Sequence, residues 1–309
     1  MQCRLLFSLL FIMFIGCQNN QKDSKEIVDE PVFLSPIGKE LFSPVPSDKN
    51  LNLLAEARQN LDNNPNDADN IIWLGRRTAY LGKYEEAISI YTDGIKQFPQ
   101  DARFYRHRGH RYISIRKFDE AIADFEKAGQ LIEGKENEIE PDGMPNAQNI
   151  PISTLHGNIW YHLGLAYYLK HDYPKAYEAY VKCRESGNNA DNIVSSTHWL
   201  YMIQRRMGNK EQAELELEPI ELGMKIIENT SYYNLCKLYK GMMPIDSLQI
   251  EGADMPASDA INYGLANWYF YNEEKEEAKN IMEEIISGNS WTSFGYIAAE
   301  GDLVSYFNQ

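Results

Sequence analysis

Positive charge is in short supply in this 309-residue sequence: 30 Lys and Arg stand against 45 Asp and Glu, a formal net charge of -15. That balance excludes general affinity for nucleic acid or anionic lipid, because phosphate surfaces need a basic partner. Cysteine is also scarce, at four, and two of these, Cys3 and Cys17, fall in an N-terminal leader. Cys183 and Cys236 remain, in apolar helical surroundings; buried free thiols are expected there rather than a disulfide. No CxxC or mixed Cys/His spacing indicates zinc. His107 and His110 share a helix face but have no carboxylate or thiol at ligand spacing. The sequence contains no GxSxG, HExxH, Walker-type GK[ST], or GxGxxG after a strand, so no catalytic residue, metal or cofactor is expected. Alternating strand-like runs with hairpin turns are missing between residues 68 and 292. The longest apolar run, LLFSLLFIMFI at 5–15, is too short to span a bilayer.

That run follows Arg4 and ends in FIGC, and residues 1–16 read as a secretion signal. The segment resembles a bacterial lipobox, with Phe14 departing from the usual Leu. The resemblance implies cleavage before Cys17, acylation of Cys17 and anchoring to a membrane. Gln18 follows where Asp would favour inner-membrane retention, so the resemblance points to the outer membrane, facing the periplasm, with the cell surface as the alternative. Residues 17–47 contain QNNQKDSKE and then Pro31, Pro36, Pro44 and Pro46, a composition expected to form a flexible tether. A tether of this length has a mean reach of roughly 30 Å.

What the sequence does contain is a repeat. LGRRTAYLGKYEEAISIYTDGIKQFP (74–99) aligns with RGHRYISIRKFDEAIADFEKA (108–128), placing Gly75 and Gly109 34 residues apart, and likewise Ala87 and Ala121. WYHLGLAYYLKHDYPKAYEAYVKC (160–183) carries Gly164 and Ala176 at the same internal distance. These segments resemble the tetratricopeptide repeat, a helix–turn–helix unit that hides its apolar face only by stacking on neighbours. The resemblance implies an all-α, right-handed solenoid with capping helices near 48–62 and 291–307. Repeats are expected at 68–101, 102–135, 157–190, 194–227 and 259–292, and a further hairpin out of register at 232–248. Small residues let paired helices approach, while Tyr91, Phe125 and Tyr180 fill the gap to the next repeat. Arg108 stands where Leu is common, with Asp124 placed to pair with it. Residues 134–156 form an acidic, proline-bearing insertion, either a disordered excursion or a lid over one face.

The segment RFYRHRGHRY (103–112) concentrates basic groups in an acidic chain. In tetratricopeptide repeats certain first-helix positions face the inner groove. The resemblance places Arg76, Tyr80, Arg103, Arg106, His110, Tyr161, Tyr168, His198, Met202 and Arg205 there. Arg suits planar carboxylates, so the expected partners are proteins or peptides with acidic or C-terminal carboxylate segments. The alternative is that these arginines offset carboxylates of adjacent repeats or of the insertion. The order of elements from SSTHWLYMIQRRMGNKEQA onward is similar to the NlpI family of outer-membrane lipoproteins, which implies an adaptor for cell-wall hydrolases or proteases. A second reading is an envelope module for a glycan, muropeptide or small ligand, with Tyr161, Tyr168, Trp199 and Trp268 as stacking platforms. Repeat lipoproteins often form homodimers, which is one expectation for oligomeric state.

Overall fold

Helix boundaries follow local capping chemistry. The computed structural model describes residues 31–248 and 256–307, so Cys17 and the signal segment lie outside the described residues. α1 (Asp48–Asn63) starts at Ser47, α2 (Ala68–Ala79) at Asp67, and α4 (Ala102–Ser114) at Asp101; each cap side chain accepts from a first-turn backbone N–H. Thr154 and Asn189 do the same for α6 (Leu155–Leu169) and α8 (Ala190–Arg206). Such a cap stabilises its helix by about 1 kcal/mol.

Helices pair as hairpins: α2 with α3 (Tyr84–Gln97), α4 with α5 (Phe118–Leu131), and α6 with α7 (Tyr173–Glu185). Further along, α8 pairs with α9 (Lys210–Glu216), and α11 (Pro256–Tyr271) with α12 (Lys275–Ser287). The reason for glycine at the crossing is direct. A Cβ on Gly75 would lie 2.4 Å from the Tyr91 ring, and one on Gly164 2.6 Å from Tyr180. The same aromatics reach the next hairpin, where Tyr91 stacks on His107, Phe125 on His162 and Tyr180 on Trp199. Each ring therefore closes its own hairpin and joins it to its neighbour. Burying one such side chain contributes about 1.5–3 kcal/mol. Arg108 pairs with Asp124 at 2.7 Å within the second repeat. The fold is an all-α tetratricopeptide solenoid. First helices of successive hairpins touch, α2 to α4 to α6 to α8 to α11, and share an inner face.

The structure corrects four expectations. Residues 31–43 are not tether: β1 (Phe33–Leu34) pairs antiparallel with β2 (Glu40–Leu41), and Leu41 is buried. This arm docks through Lys39 Nζ, which donates to the Ile286 and Gly288 carbonyls, and through Phe33 against Trp291. Residues 232–248 form no hairpin; α10 (Thr230–Tyr239) is closed by Gly241 at φ 73, with Met242 N–H donating to the Lys237 carbonyl, and only a 3-10 turn follows at Ile245–Ser247. The second helix of the fourth repeat is only seven residues long. Finally, α13 (Phe294–Asp302) does not merely cap an end: it packs on α11, α12 and α6. No helix among the described residues is long and apolar enough to cross a membrane.

Candidate functional site

The inner face is filled from two directions by the protein's own chain. From one side comes the 134–156 insertion, which behaves as a lid rather than an excursion. Its Ile139 bridges Thr154, and its Glu140 carboxylate enters the arginine cluster of α4. Glu140 Oε2 lies 3.1 Å from Arg106 Nε, Glu140 Oε1 lies 3.2 Å from His107 Nε2, and the Asn158 amide donates to Oε2 at 2.7 Å. Burial alone would raise the Glu140 carboxyl, but the Arg106 charge and the His107 contact outweigh it and hold it below the usual carboxylate range. His107 is pushed down to about 3 by burial and by the Arg106 charge. A neutral imidazole protonated on Nε2 fits both of its contacts, since Nδ1 then accepts from Arg106 Nη1 at 3.0 Å.

The insertion then crosses the first repeat as irregular chain, bending at Gly143–Met144. Arg76 Nη1 donates to the Pro141 carbonyl at 2.9 Å, and Arg77 Nη1 donates to the Gly143 carbonyl at 3.0 Å. Gly143 is required there, because a Cβ would strike the Tyr80 hydroxyl. Its far end ties to the segment before α10, where Asn146 Nδ2 donates to Glu228 Oε1.

From the other side comes α13, held at three inter-helix turns. Arg116, in the turn after α4, pairs with Glu300; His171, after α6, contacts Asp302; and Arg206, at the end of α8, pairs with the same Asp302. The turn position prefers a left-handed residue: Gly82 and Gly208 hold it in two hairpins, at φ 75 and 80. Arg116 and His171 adopt it without being glycine, at φ 60 and 59. That conformation costs a non-glycine residue roughly 1–2 kcal/mol; Arg116 and His171 are also the residues that hold α13, while the exposed Glu273 takes the same position in the α11–α12 turn at φ 68.

Between the two fillings a polar cleft remains. One part, about 160 Å³, lies among α6, α8 and the 187–192 turn, and an adjoining part of about 360 Å³ is bounded by His110, Tyr232 and the 292–295 segment. Glu228, Asn229 and Phe294 line both. His162 sits in its wall, pushed down to about 3 by burial and by the Arg106 charge. Its Nδ1–H donates to the Asn158 carbonyl at 2.6 Å, leaving the Nε2 lone pair as the acceptor. His110 lies against the His162 ring at 4.5 Å and is held well below its ordinary value by burial and the Arg111 charge. Among the described residues no hydrogen-bond partner stands against either His110 ring nitrogen. Asp191 is committed: its two oxygens accept from the backbone N–H groups of Ile227, Glu228 and Asn229.

The ten expected groove residues therefore divide. Arg76 and Tyr80 lie under the insertion, and Arg106 is enclosed by it. Arg103 is turned to Asp101 and Asp69. His110 and Tyr161 line the cleft, with the Tyr161 hydroxyl bonded to Tyr232 and Trp199. Tyr168, His198 and Met202 are core residues, and Arg205 is spent on the Tyr271 carbonyl and Asn272. Of the proposed stacking platforms, Tyr168 and Trp199 are buried and present no face to a ligand. The reading of Arg106 and Arg205 as open carboxylate receptors is corrected: the chain itself occupies both. Sequence reasoning missed His162, Asn158, Asn229, Glu228 and Phe294. The apolar pattern of FGYIAAEGD, too rich for a solvated terminal helix, was the available signal for Phe294.

No family model matches the chain, and no curated protein matches it. Among solved structures it is similar to a MamA double mutant, at 18% identity over 54% of this chain and 80% of that one, with a TM-score of 0.41. It is also similar to YrrB, described as a tetratricopeptide protein with an unusual peptide-binding site, at 16% identity over 79% of this chain and 95% of that one, TM-score 0.42. The P58(IPK) tetratricopeptide domain gives 12% identity over 85% and 96%, with a TM-score of 0.25.

Proposed function

We propose that the protein is a non-enzymatic interaction scaffold, anchored by lipid on Cys17 at the bacterial envelope, that receives an acidic extended segment of a protein partner along its first two repeats. The observation that carries this reading is the insertion itself. An acidic stretch lies on the arginine face, read through one carboxylate by Arg106 and through two main-chain carbonyls by Arg76 and Arg77. A surface that holds one such segment has the donor spacing to hold another alongside it. Arg76 and Arg77 are half-buried, and each guanidinium carries five N–H donors, more than the single carbonyl bond uses. Arg106 is taken up by Glu140 and receives no partner carboxylate, while Tyr168, His198 and Met202 are buried and Arg205 is bonded to the Tyr271 carbonyl and Asn272. Lipid anchoring and outer-membrane placement draw support from the FIGC segment and Gln18; partners of the cell-wall hydrolase or protease kind are carried by the family resemblance alone. Confinement to a membrane raises effective concentration, so modest affinity suffices.

The test is titration of a fluorescent acidic peptide ending in a free carboxylate onto the full chain, compared with an Arg76→Glu/Arg77→Glu variant. Loss of binding with unchanged helicity supports the reading; equal binding by the variant removes it.

A further inference from the structure

We propose that the cleft between the insertion and α13 is a binding site for a neutral saccharide, one hexose or N-acetylhexosamine ring of a longer glycan. The inference stands apart from the peptide surface, since it uses neither Arg76 nor Arg77. Three observations select the ligand class.

Charge comes first. Neither part of the cleft is lined by Lys or Arg, while Asp191 and Glu228 both are present, so an anionic ligand meets carboxylates and no cation. Burial, with the Arg106 and Arg111 charges adding to it, keeps the His110 and His162 rings neutral, so this wall presents no charge. Asp191 already accepts from three backbone N–H groups and Glu228 Oε1 from Asn146 Nδ2, so neither carboxylate is open to a cation. An uncharged polar ligand is the species that loses least on entry.

Donor and acceptor chemistry comes second. His162 Nε2 and the unpartnered nitrogens of His110 are neutral hydrogen-bonding groups at one wall. The Asn229 amide and the Glu228 carboxylate, whose Oε1 also accepts from Asn146 Nδ2, line both parts of the cleft. Hydroxyl groups both donate and accept, so a ring bearing several of them satisfies such a mixed set without a net charge. Burying these groups against an apolar ligand would leave them unsatisfied, at about 1–3 kcal/mol each.

Shape comes third. Phe294 contacts His110 at 5.6 Å and His162 at 5.5 Å between ring centroids, and its half-buried ring lines both parts of the cleft. An aromatic face flanked by polar groups takes the C–H face of a sugar ring. The two adjoining volumes, about 160 and 360 Å³, suit one ring and part of its neighbour, at the small end of ligand sites.

The test uses the full chain with maltose, mannobiose and chitobiose as neutral probes, and glucuronic acid and glucosamine as charged controls, by calorimetry and thermal shift. At least one neutral disaccharide is expected to bind and raise the melting temperature, while the charged sugars do not. His110→Ala and Phe294→Ala should each weaken that binding by about tenfold or more. Should Phe294→Ala fail to fold, His110→Ala, a half-buried and unbonded position, decides alone. The Arg76→Glu/Arg77→Glu variant should bind sugar normally, which separates this inference from the scaffold reading. Absence of neutral-sugar binding at millimolar concentration, tighter binding of a charged sugar, or full affinity in folded His110→Ala overturns it.

Discussion

Arg116 and Glu300 meet at 2.9 Å across a sequence separation of 184 residues, with 6% and 1% of their side chains exposed. The pair fixes α13 to the second repeat. Arg116 also donates to the Ser114 and Trp291 carbonyls, so its guanidinium ties the turn, the arm-facing Trp and α13 together. Removing one partner leaves a buried charge bare. Arg116→Met is therefore expected to destabilise the fold by about 3–5 kcal/mol, read as a lower urea midpoint. Arg116→Met/Glu300→Gln should recover part of that loss. A double variant no better than the single one would show that Arg116 acts through its carbonyl contacts instead.

The same residue separates backbone strain from side-chain pairing. Its φ of 60 is a conformation glycine adopts freely. Arg116→Gly loses the ion pair as Arg116→Met does but sheds the left-handed penalty. Arg116→Gly should accordingly be more stable than Arg116→Met by about 1 kcal/mol.

Helix crossings offer a graded series. A Cβ on Gly75 would stand 2.4 Å from the Tyr91 ring, whereas one on Gly109 would stand 2.9 Å from Phe125. Both rings are locked between two hairpins and have little room to retreat. Overpacking of this kind costs about 1–3 kcal/mol. Gly75→Ala is expected to lower the thermal midpoint more than Gly109→Ala, and the reverse order would refute the packing account.

The hairpins were legible because their causes are local and periodic. Gly75, Gly109 and Gly164 each precede an aromatic by the same interval, and the packing that follows needs no distant partner. The Arg108–Asp124 pair was legible for the same reason. What escaped was long-range and aperiodic: nothing in the sequence says that Glu140 would lodge between Arg106 and His107, or that Asp302 would sit beneath His171 and Arg206. The proline-rich look of residues 31–43 concealed a docked arm, because two short strands and one Lys39 suffice to hold it. The cleft itself arises where two such segments stop short of each other, so its lining has no sequence motif.

Thiol chemistry follows from burial. Cys183 and Cys236 are free and buried, and burial pushes the Cys183 thiol up to about 12 and raises that of Cys236. Reaction requires the thiolate, which is almost absent at neutral pH under these conditions. Neither Cys should react with iodoacetamide in the native protein within an hour, and both should react on addition of denaturant. Fast native labelling at either position would contradict the packing described.

Acid sensitivity is the sharpest consequence of the inner face. Burial holds His107, His162 and His198 down to about 3, the Arg106 charge adding to it at the first two. In the unfolded chain each titrates near its ordinary value, about 6.5. Below that pH the unfolded state binds protons that the folded state refuses, so stability is complete above about pH 6.5 and falls as pH drops toward 3. Each of these three contributes a slope of about 1.4 kcal/mol per pH unit, about 4 together, and His110, also held well below its ordinary value by burial, adds in the same direction. Against a typical total stability of about 5–15 kcal/mol, acid unfolding is expected near pH 4. The depressed Glu140 carboxyl works in the same direction at lower pH, its contribution being lost as pH falls through its folded value. Urea midpoints measured from pH 7.5 to 4.5 should show this slope, and His198→Gln should reduce it by one proton. His198 serves as the reporter because it stacks between Tyr232 and Tyr239, away from the Arg106–Glu140 pair. A midpoint unchanged between pH 7 and 5 would mean that these imidazoles gain protons in the folded protein, and the neutral cleft wall would go with them.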